Sequence, residues 1–538
     1  MSQPPAALPS PPPAAPPYEL GRGLVYAAMS VLVGITGGLG INIVTANLPA
    51  IQGALGATPT EGAWLLAAYY ATSISLSALL VKFRYQFGLR LFADLGLGLY
   101  ILVTAAHLLS NDLRSAVALR AAQGVAAAPM TSLAILYMTA AWPEARRATA
   151  VALGMGASQL GVPLARVISP DLLQIGQWHG LYLLELGLAL VCFAGITLVR
   201  LPPIPRTMRF EWGDLASFAL FAPGLGLLAV AITMGRYVWW FEAPWIGVCL
   251  ATAVVLLAAA ILLELHRERP LLDIRWLSSG EMLRLLAGVV LFRLALSEQT
   301  TGAVGFMQVL GLTNDQMQTL FWIELCAMIV GFVWIGLTIK PERPLTPLAF
   351  ALSLIIAASW LDAHSTSLTR PAQMYLTQGL MAFAGAFFLP PVQMFGISRA
   401  MARSQAHFVS FVMLFSAGVN LGSLLGSSLL GTFVIVREKF HSNQLTQSLS
   451  LADPQVAARV RQLAGAYAHT LGDARLRSAE GLALLQQQAT REAYVLAYND
   501  AFALVAALAL LTFVWIVGLR LRIWIWRRRQ ALAAEVAG

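Results

Sequence analysis

Fourteen stretches of about twenty predominantly apolar residues follow one another along this sequence, each closed by charged or turn-forming residues. A bilayer core of about 30 Å is crossed by about 20 such residues in an α-helix. A helix also satisfies its own backbone groups in lipid, which irregular chain cannot do. The runs are 23–48, 62–81, 91–109, 113–139, 148–169, 180–199, 213–235, 244–264, 283–304, 316–338, 345–361, 372–394, 407–435 and 497–523. The expected fold class is an all-α membrane protein. Only 11% of the 538 residues are charged and 58% are hydrophobic, whereas a soluble domain carries about 25% charged residues. A multi-domain soluble protein is thereby excluded, and so is a disordered chain. Three cysteines in 538 residues do not make a disulfide scaffold.

The net charge of +9 raises the question of a nucleic-acid partner. The basic residues lie between apolar runs and not on one patch, so none is expected. Their placement carries topology instead. Arg22, Lys82, Arg84, Arg90, Arg146, Arg147, Arg206, Arg209, Arg267, Arg269, Arg275, Lys340, Arg343, Arg399, Arg403 and Arg527–Arg529 fall at the two ends and after the even-numbered runs. The alternate loops 52–61 and 305–315 contain neither Lys nor Arg. This positive-inside bias predicts that both termini are cytoplasmic, which an odd number of spans would break. Residues 1–17 are rich in Pro and Ala and lack the apolar core of a signal peptide, so the first helix is expected to be a retained span behind a disordered tail.

One connection is long. Residues 437–496 join the last two runs and favour helix. Asp453-Pro454 reads as an N-cap followed by Pro at the first helical position. Ser478 to Ala497 reads as helix leading into the final span. Its arginines do not disturb the topology, because long loops cross the membrane largely regardless of charge.

No HExxH, no CxxC and no phosphate-cradling glycine loop is present, and the seven histidines are scattered. No metal, no cofactor and no enzymatic activity are expected. Cys192, Cys249 and Cys326 fall in separate runs and read as small apolar packers. Glycine-rich runs (Gly34, Gly37, Gly38 and Gly40; Gly154, Gly156 and Gly161; Gly418, Gly422, Gly426 and Gly431) allow close helix approach in lipid. Together with the number of spans they fit an alternating-access transporter.

Motifs sharpen this reading. Arg120-Ala-Ala-Gln123-Gly124, followed by Pro129, resembles the fourth-span motif of the major facilitator superfamily. Leu48-Pro49 with Thr58-Pro59-Thr60 and Trp64 resembles the end of span one in its fourteen-span drug:proton antiporters. Phe87-Gly88-x-Arg90 and Pro143-Glu144-x-Arg146-Arg147-Ala148 resemble loop motifs of the same family. Phe388-Leu389-Pro390-Pro391-x-Gln393 and Asn420-Leu421-Gly422-Ser423-x-x-Gly426 fit its spans twelve and thirteen. Phe440-His441, the long loop and Tyr498-Asn499-Asp500-Ala501-Phe502 resemble the EmrB-type efflux pumps.

The resemblance implies two six-helix bundles, 23–199 and 283–523, with two extra helices in 200–282. The tail 1–22 and the basic end 524–538 lie outside them. It implies a Gram-negative inner-membrane exporter of small amphipathic organic molecules, driven by protons. A periplasmic adaptor of the membrane-fusion type, docking on 437–496, and a TolC-like outer-membrane channel would complete the assembly. A dedicated metabolite or siderophore exporter is the alternative within transport. A non-transporting scaffold or sensor is the alternative outside it, and the polar residues retained inside the spans speak against it.

The sequence departs from the family at three places. Gly40 stands where an Asp is usual in span one. Val81 and Tyr85 replace Gly and Asp after span two. The span-five motif survives only as Gly161-Val162-Pro163-Leu164-Ala165-Arg166.

Ionisable groups inside the spans are costly and therefore candidates for function. Glu298, Glu324, Arg293 and Arg120 are the expected proton-coupling set, because burial disfavours the charged form of a carboxyl. Across the turn near residue 310, Arg293 and Glu324 differ in depth by about 5 Å at 1.5 Å per residue, which predicts a pair. Arg166 and Glu185 lie at similar depth across the turn near residue 174 and predict a gating or structural pair. Asn42, Gln123, Gln299, Thr300, Gln308 and Asn420 are the expected polar lining of a substrate cavity, with Phe306, Met307, Phe321 and Trp322 as an apolar wall.

Overall fold

The computed structural model describes residues 20–202, 211–240, 242–268, 270–340 and 344–537. The Pro-rich segment 1–17 and the topology residues Arg206, Arg209, Arg269 and Arg343 lie outside these. The described chain is built from helices: α1 (Gly21–Ala46), α2 (Pro59–Phe87), α3 (Leu89–His107), α4 (Leu113–Ala141), α5 (Glu144–Gln174), α6 (Gln177–Leu198), α7 (Trp212–Gly235) and α8 (Pro244–His266) form the first part. There follow α9 (Gly280–Ser297, continued by Glu298–Ala303 and Val304–Val309), α10 (Gln318–Thr338), α11 (Leu345–Asp362), α12 (Pro371–Met401), α13 (His407–Ser448) and α14 (Ala474–Arg522).

Each apolar run of the sequence coincides with one of these helices, but the count of fourteen is not reached on apolarity and length. Twelve of the described helices are long and apolar enough to cross a membrane, or thirteen if α2, bent by 51° between Pro59–Leu76 and Leu79–Phe87, is one span. The exception is α9. Its α-helical part carries three charged residues, Glu281, Arg284 and Arg293, and at Glu298 the helix widens into a π-helical turn. Such turns occur frequently at functional sites.

Local chemistry explains the ends. Thr58 caps α2 in a capping box, its hydroxyl accepting from the Glu61 amide at 3.3 Å while Glu61 accepts from the Thr58 amide at 2.9 Å, with Pro59 at the first helical position. Asp112 caps α4 through the Ser115 amide at 3.0 Å. The Ser115 hydroxyl and amide hold the Asp112 carboxyl below its usual range. In the long connection, Asp453 accepts from the Gln455 amide at 2.8 Å and starts the helix Pro454–Ala464, as the Asp-Pro pair predicted. The last helix runs without a break from Ala474 into the final span.

In the first half α1 packs on α4, α5 and α6, and α2 packs on α4. In the second half α9 packs on α13, α10 on α12, and α11 and α13 on α14. The halves meet where α5 crosses α10 and α2 crosses α13. The pair α7–α8 lies against α2, and α7 also touches α13. Trp64 of α2 stacks on Trp245 of α8 with ring centroids 5.9 Å apart. Ser428 of α13 donates to the Ile232 carbonyl of α7 at 2.6 Å.

At the opposite end of α2, Lys82 pairs with the buried Asp214 of α7. Arg267, just past α8, donates to Asp214 at 3.0 Å and to Glu264 at 2.9 Å. Glu264 also accepts from the Leu272 amide at 2.9 Å and from the Ser217 hydroxyl.

The closest helix contact in the first half is between α1 and α5. A Cβ built on Gly38 would lie 2.2 Å from the Ser158 carbonyl oxygen, and one on Gly161 would lie 2.5 Å from the Gly38 carbonyl carbon. Both obstacles are backbone, so neither can yield without separating the helices. Gly38→Ala is expected to destabilise the protein by about 1–3 kcal/mol through overpacking. Thermal unfolding in detergent measures this against Gly98→Ala in α3, where an added Cβ meets nothing within 4 Å.

Candidate functional site

Two buried polar regions and one cavity stand out among the described residues. The first region lies inside the first half. Arg120 of α4 is completely buried. Its Nη1 donates to the Gly40 carbonyl at 2.8 Å and to the Gln123 side chain. Its Nε points at the Leu65 carbonyl at 3.4 Å, and the guanidinium lies 4.6 Å from the centre of the Tyr69 ring. Gln123 passes the contact on, donating to Oε1 of Glu185 on α6, which also accepts from the Tyr100 hydroxyl of α3. Gly40 makes room for this arrangement. A Cβ there would lie 2.5 Å from the Tyr100 hydroxyl and 3.2 Å from Glu185 Oε1. The space that a side chain at residue 40 would fill is taken by the Tyr100 hydroxyl, with the Glu185 carboxylate beside it. Nη2 of Arg120 and Oε2 of Glu185 have no hydrogen-bond partner.

The second region lies inside the second half. Glu298, at the π-helical turn of α9, is completely buried, as is Gln378 of α12. The Gln378 amide nitrogen donates to Glu298 Oε1 at 3.1 Å and to Asp362 Oδ2 of α11 at 2.8 Å. Glu324 of α10 is buried within the electrostatic field of Arg166 on α5, and its Oε1 and the Gln299 Nε2 have no hydrogen-bond partner. Arg166 of α5 also lies over the Phe321 ring at 5.4 Å.

Between these regions, where α5 meets α9, α10, α12 and α13, lies a cavity of about 80 Å³. Its polar lining is Gln159, Arg293, Ser297, Gln299, Thr300 and Ser423, and Met328 and Phe332 are among its apolar walls. Arg293 is fixed by a 2.6 Å hydrogen bond from its Nε to Ser423 Oγ on α13. A drug-sized ligand needs a pocket of about 300 Å³ or more, so this cavity is closed to one and has room for a few waters. A larger open furrow of about 450 Å³ between α10 and α12 is lined by residues such as Trp322, Ile323, Val330 and Phe383. It carries no charged side chain and faces where lipid would lie, so it is not the candidate site.

The expected residues sort accordingly. Arg293, Gln299 and Thr300 line the cavity together. Glu298 and Glu324 stand next to it through Gln299. Arg120 and Gln123 belong to the buried network of the first half and not to the cavity lining. Asn42 turns back to donate to the Gly38 carbonyl of its own helix at 2.7 Å. Gln308 is exposed, and Asn420 does not reach the cavity. Phe306, Met307 and Phe321 are fully buried, but Trp322 is 49% exposed on the lipid-side furrow.

Neither pairing expected from depth is present among the described residues. No ion pair joins Arg166 to Glu185 among the described residues; Arg166 faces Glu324 across the contact between halves, and Glu185 faces the Arg120 network. Arg293 reaches Ser423 instead of Glu324. Tyr100, Asp362, Gln378, Gln159 and Ser423 were not anticipated. Gln378 was visible as one of three amides within the run 372–394, with Gln373 and Gln393; Asp362 closes the run 345–361.

Comparison with known proteins agrees with this architecture. The family model of the Major Facilitator Superfamily matches residues 30–427. Multidrug export protein EmrB of Escherichia coli (strain K12) is 23% identical over 494 residues, which cover 88% of this chain and 91% of that protein. The protein of the same name from Haemophilus influenzae is 24% identical over 543 residues, covering 93% and 96%. The solved structure of the human organic anion transporter MFSD10 (TETRAN) shares the fold at a TM-score of 0.53 and 14% identity, covering 92% of this chain and 100% of that one. With the family model matched over well more than half of its length, this multi-pass membrane chain belongs to the Major Facilitator Superfamily and is a transporter, not an enzyme.

Proposed function

We propose that the protein exports small amphipathic organic compounds across a bacterial inner membrane in exchange for protons. In this reading it is the pump of a tripartite system with a periplasmic adaptor and a TolC-like outer channel. Both termini are cytoplasmic, 23–199 and 283–523 are the two bundles that rock against each other, and 200–282 supplies the linking pair. The observation that carries the reading is the small cavity where α5 meets the second half, with Arg293, Gln299 and Thr300 on its wall. Glu324 and Glu298 lie beside it without any direct ion pair among the described residues. Opening the cavity to one side at a time would admit substrate, and loading or unloading a carboxyl beside it would set which side is favoured. The names of the EmrB relatives support multidrug substrates.

A glutamine in place of either acid mimics a permanently loaded carboxyl. Glu298→Gln and Glu324→Gln are each expected to reduce substrate-driven proton flux in proteoliposomes to background or near it. Unchanged coupling in both variants sinks the proton role of these two residues.

The adaptor is proposed to dock on 437–496, where α13 and α14 continue past the length a membrane needs and the helix Pro454–Ala464 packs on α14. Deleting 445–490 should abolish capture of the adaptor while the pump still inserts. Adaptor pull-down at wild-type level by the deletion variant would move the docking site elsewhere.

A further inference from the structure

The bridge between Glu298 and Asp362 has a chemistry that the cavity residues do not. One amide nitrogen, Nε2 of Gln378, donates to both carboxyls, at 3.1 and 2.8 Å. Their acceptor oxygens are therefore no farther apart than the sum of those two lengths. The two carboxyls thus accept from the same nitrogen, and each lies in the electrostatic field of the other. Glu298 and Gln378 are fully buried and Asp362 is 3% exposed. Oε2 of Glu298 and Oε1 of Gln378 have no partner.

The surroundings offer no cation to balance two negative charges. Among the described residues no Lys, Arg or His forms an ion pair with either acid. Facing the site, α10 contributes Glu324, another acid, and α12 contributes Gln378 and the Thr377 hydroxyl. From α14, Phe502 closes the π-helical turn at Gly302, and Tyr498 lies over Gly305. From α13, Gly426 lies against Ser297. Two like charges this close in a dry site are mutually excluded, and an unpaired buried charge is costly even singly. A single proton between the carboxyls relieves both costs. It provides the donor for a carboxyl–carboxyl hydrogen bond and leaves one negative charge for the Gln378 amide to solvate.

We infer that Glu298 and Asp362, bridged by Gln378, form one proton-binding site inside the second half of the transporter. The inference rests on the proton-antiport reading and specifies where the proton is taken up. Asp362 is the last residue of α11, directly under the connection 363–370, which is on the periplasmic side in the proposed topology. Asn499 of α14 ties that connection down through the Ser365 carbonyl at 2.8 Å. Glu298 sits deeper, one residue from Gln299, which lines the cavity. A proton passing from Asp362 to Glu298 therefore travels from beneath the outer loop to the cavity wall, and the widened turn of α9 gives the Glu298 side chain its position between them.

The test is labelling of the full-length protein in liposomes with a hydrophobic carbodiimide, mapped by peptide mass spectrometry. The reagent requires a protonated carboxyl: the acid proton goes to a carbodiimide nitrogen, the carboxylate oxygen adds to the central carbon, and the adduct rearranges to a stable N-acylurea. In the wild-type protein one adduct per molecule is expected at this site, on Glu298 or on Asp362 but never on both. Asp362→Asn should move all of that label to Glu298, and Glu298→Gln should move it to Asp362. Wild-type molecules labelled on both acids, or on neither, overturn the shared site. Protection of both by sodium ions also overturns it, in favour of a metal cation. Proton flux driven by ethidium, a fluorescent amphipathic cation, is measured in parallel. Absent flux with single labelling intact overturns antiport and leaves the site. Intact flux without label at either acid overturns the site alone.

Discussion

Arg120→Leu is expected to abolish ethidium efflux and to lower stability by about 3–5 kcal/mol, the cost of removing one partner from a buried charged network. Arg120 has no exposed surface and supplies the hydrogen bonds that reach Gly40 and Gln123. Leucine fills much of the volume but leaves the Gly40 carbonyl and the Glu185 carboxylate without a positive neighbour. Gln123 would lose its acceptor role and its hold on Glu185. The double variant Arg120→Leu, Glu185→Gln removes the stranded charge together with its partner. It should therefore be more stable than Arg120→Leu alone, and thermal unfolding of the four proteins of the cycle measures the coupling. Equal unfolding temperatures for the single and double variants would mean that Glu185 does not depend on Arg120.

Asp214→Ala should be nearly as damaging, for a different reason. Asp214 is fully buried at the start of α7, where it accepts from the Glu211 amide at 2.8 Å, from Lys82 at the end of α2 and from Arg267 beyond α8. Its removal leaves two cations facing each other across three helix ends and uncaps α7. A loss of about 3–5 kcal/mol is expected from the broken buried pairs. Lys82→Ala in the same background should add much less than it costs alone, because the pair is already gone. Limited proteolysis should find new cleavage sites near residues 200–215, where α6 leads into α7.

The helices were legible because each apolar run ends at charged or turn-forming residues that do not continue a span. The ninth was read as an ordinary span although Arg293 and Glu298 lie within it, and those residues accompany its π-helical turn. Charge pairing was legible only in part. Depth along a hairpin fixes one coordinate, while the face on which a side chain emerges depends on how neighbouring helices rotate and approach. Hence Arg166 and Glu185 share a depth but not a neighbourhood. The Asp214–Arg267–Glu264 cluster was hidden for a related reason: acids at span ends look like the solvated limits of a helix, and only the fold turns them inward. The space left by Gly40 shows the limit most plainly. In the sequence it is a missing acid; in the structure two other helices bring the Tyr100 hydroxyl and the Glu185 carboxylate against it.

Helix α13 has a mechanical consequence. Its 42 residues span about 63 Å at 1.5 Å per residue, twice the thickness of a bilayer core. At Ser423 it holds Arg293 on the cavity wall, and along its length it packs beside α14. A rod anchored in this way is a lever arm. Any tilt of the second half as the cavity opens or closes is delivered, magnified, at the far tip. If the proposed adaptor holds that tip, such a tilt would reach it without any contact to the substrate, and a pull there would reach the Arg293 guanidinium.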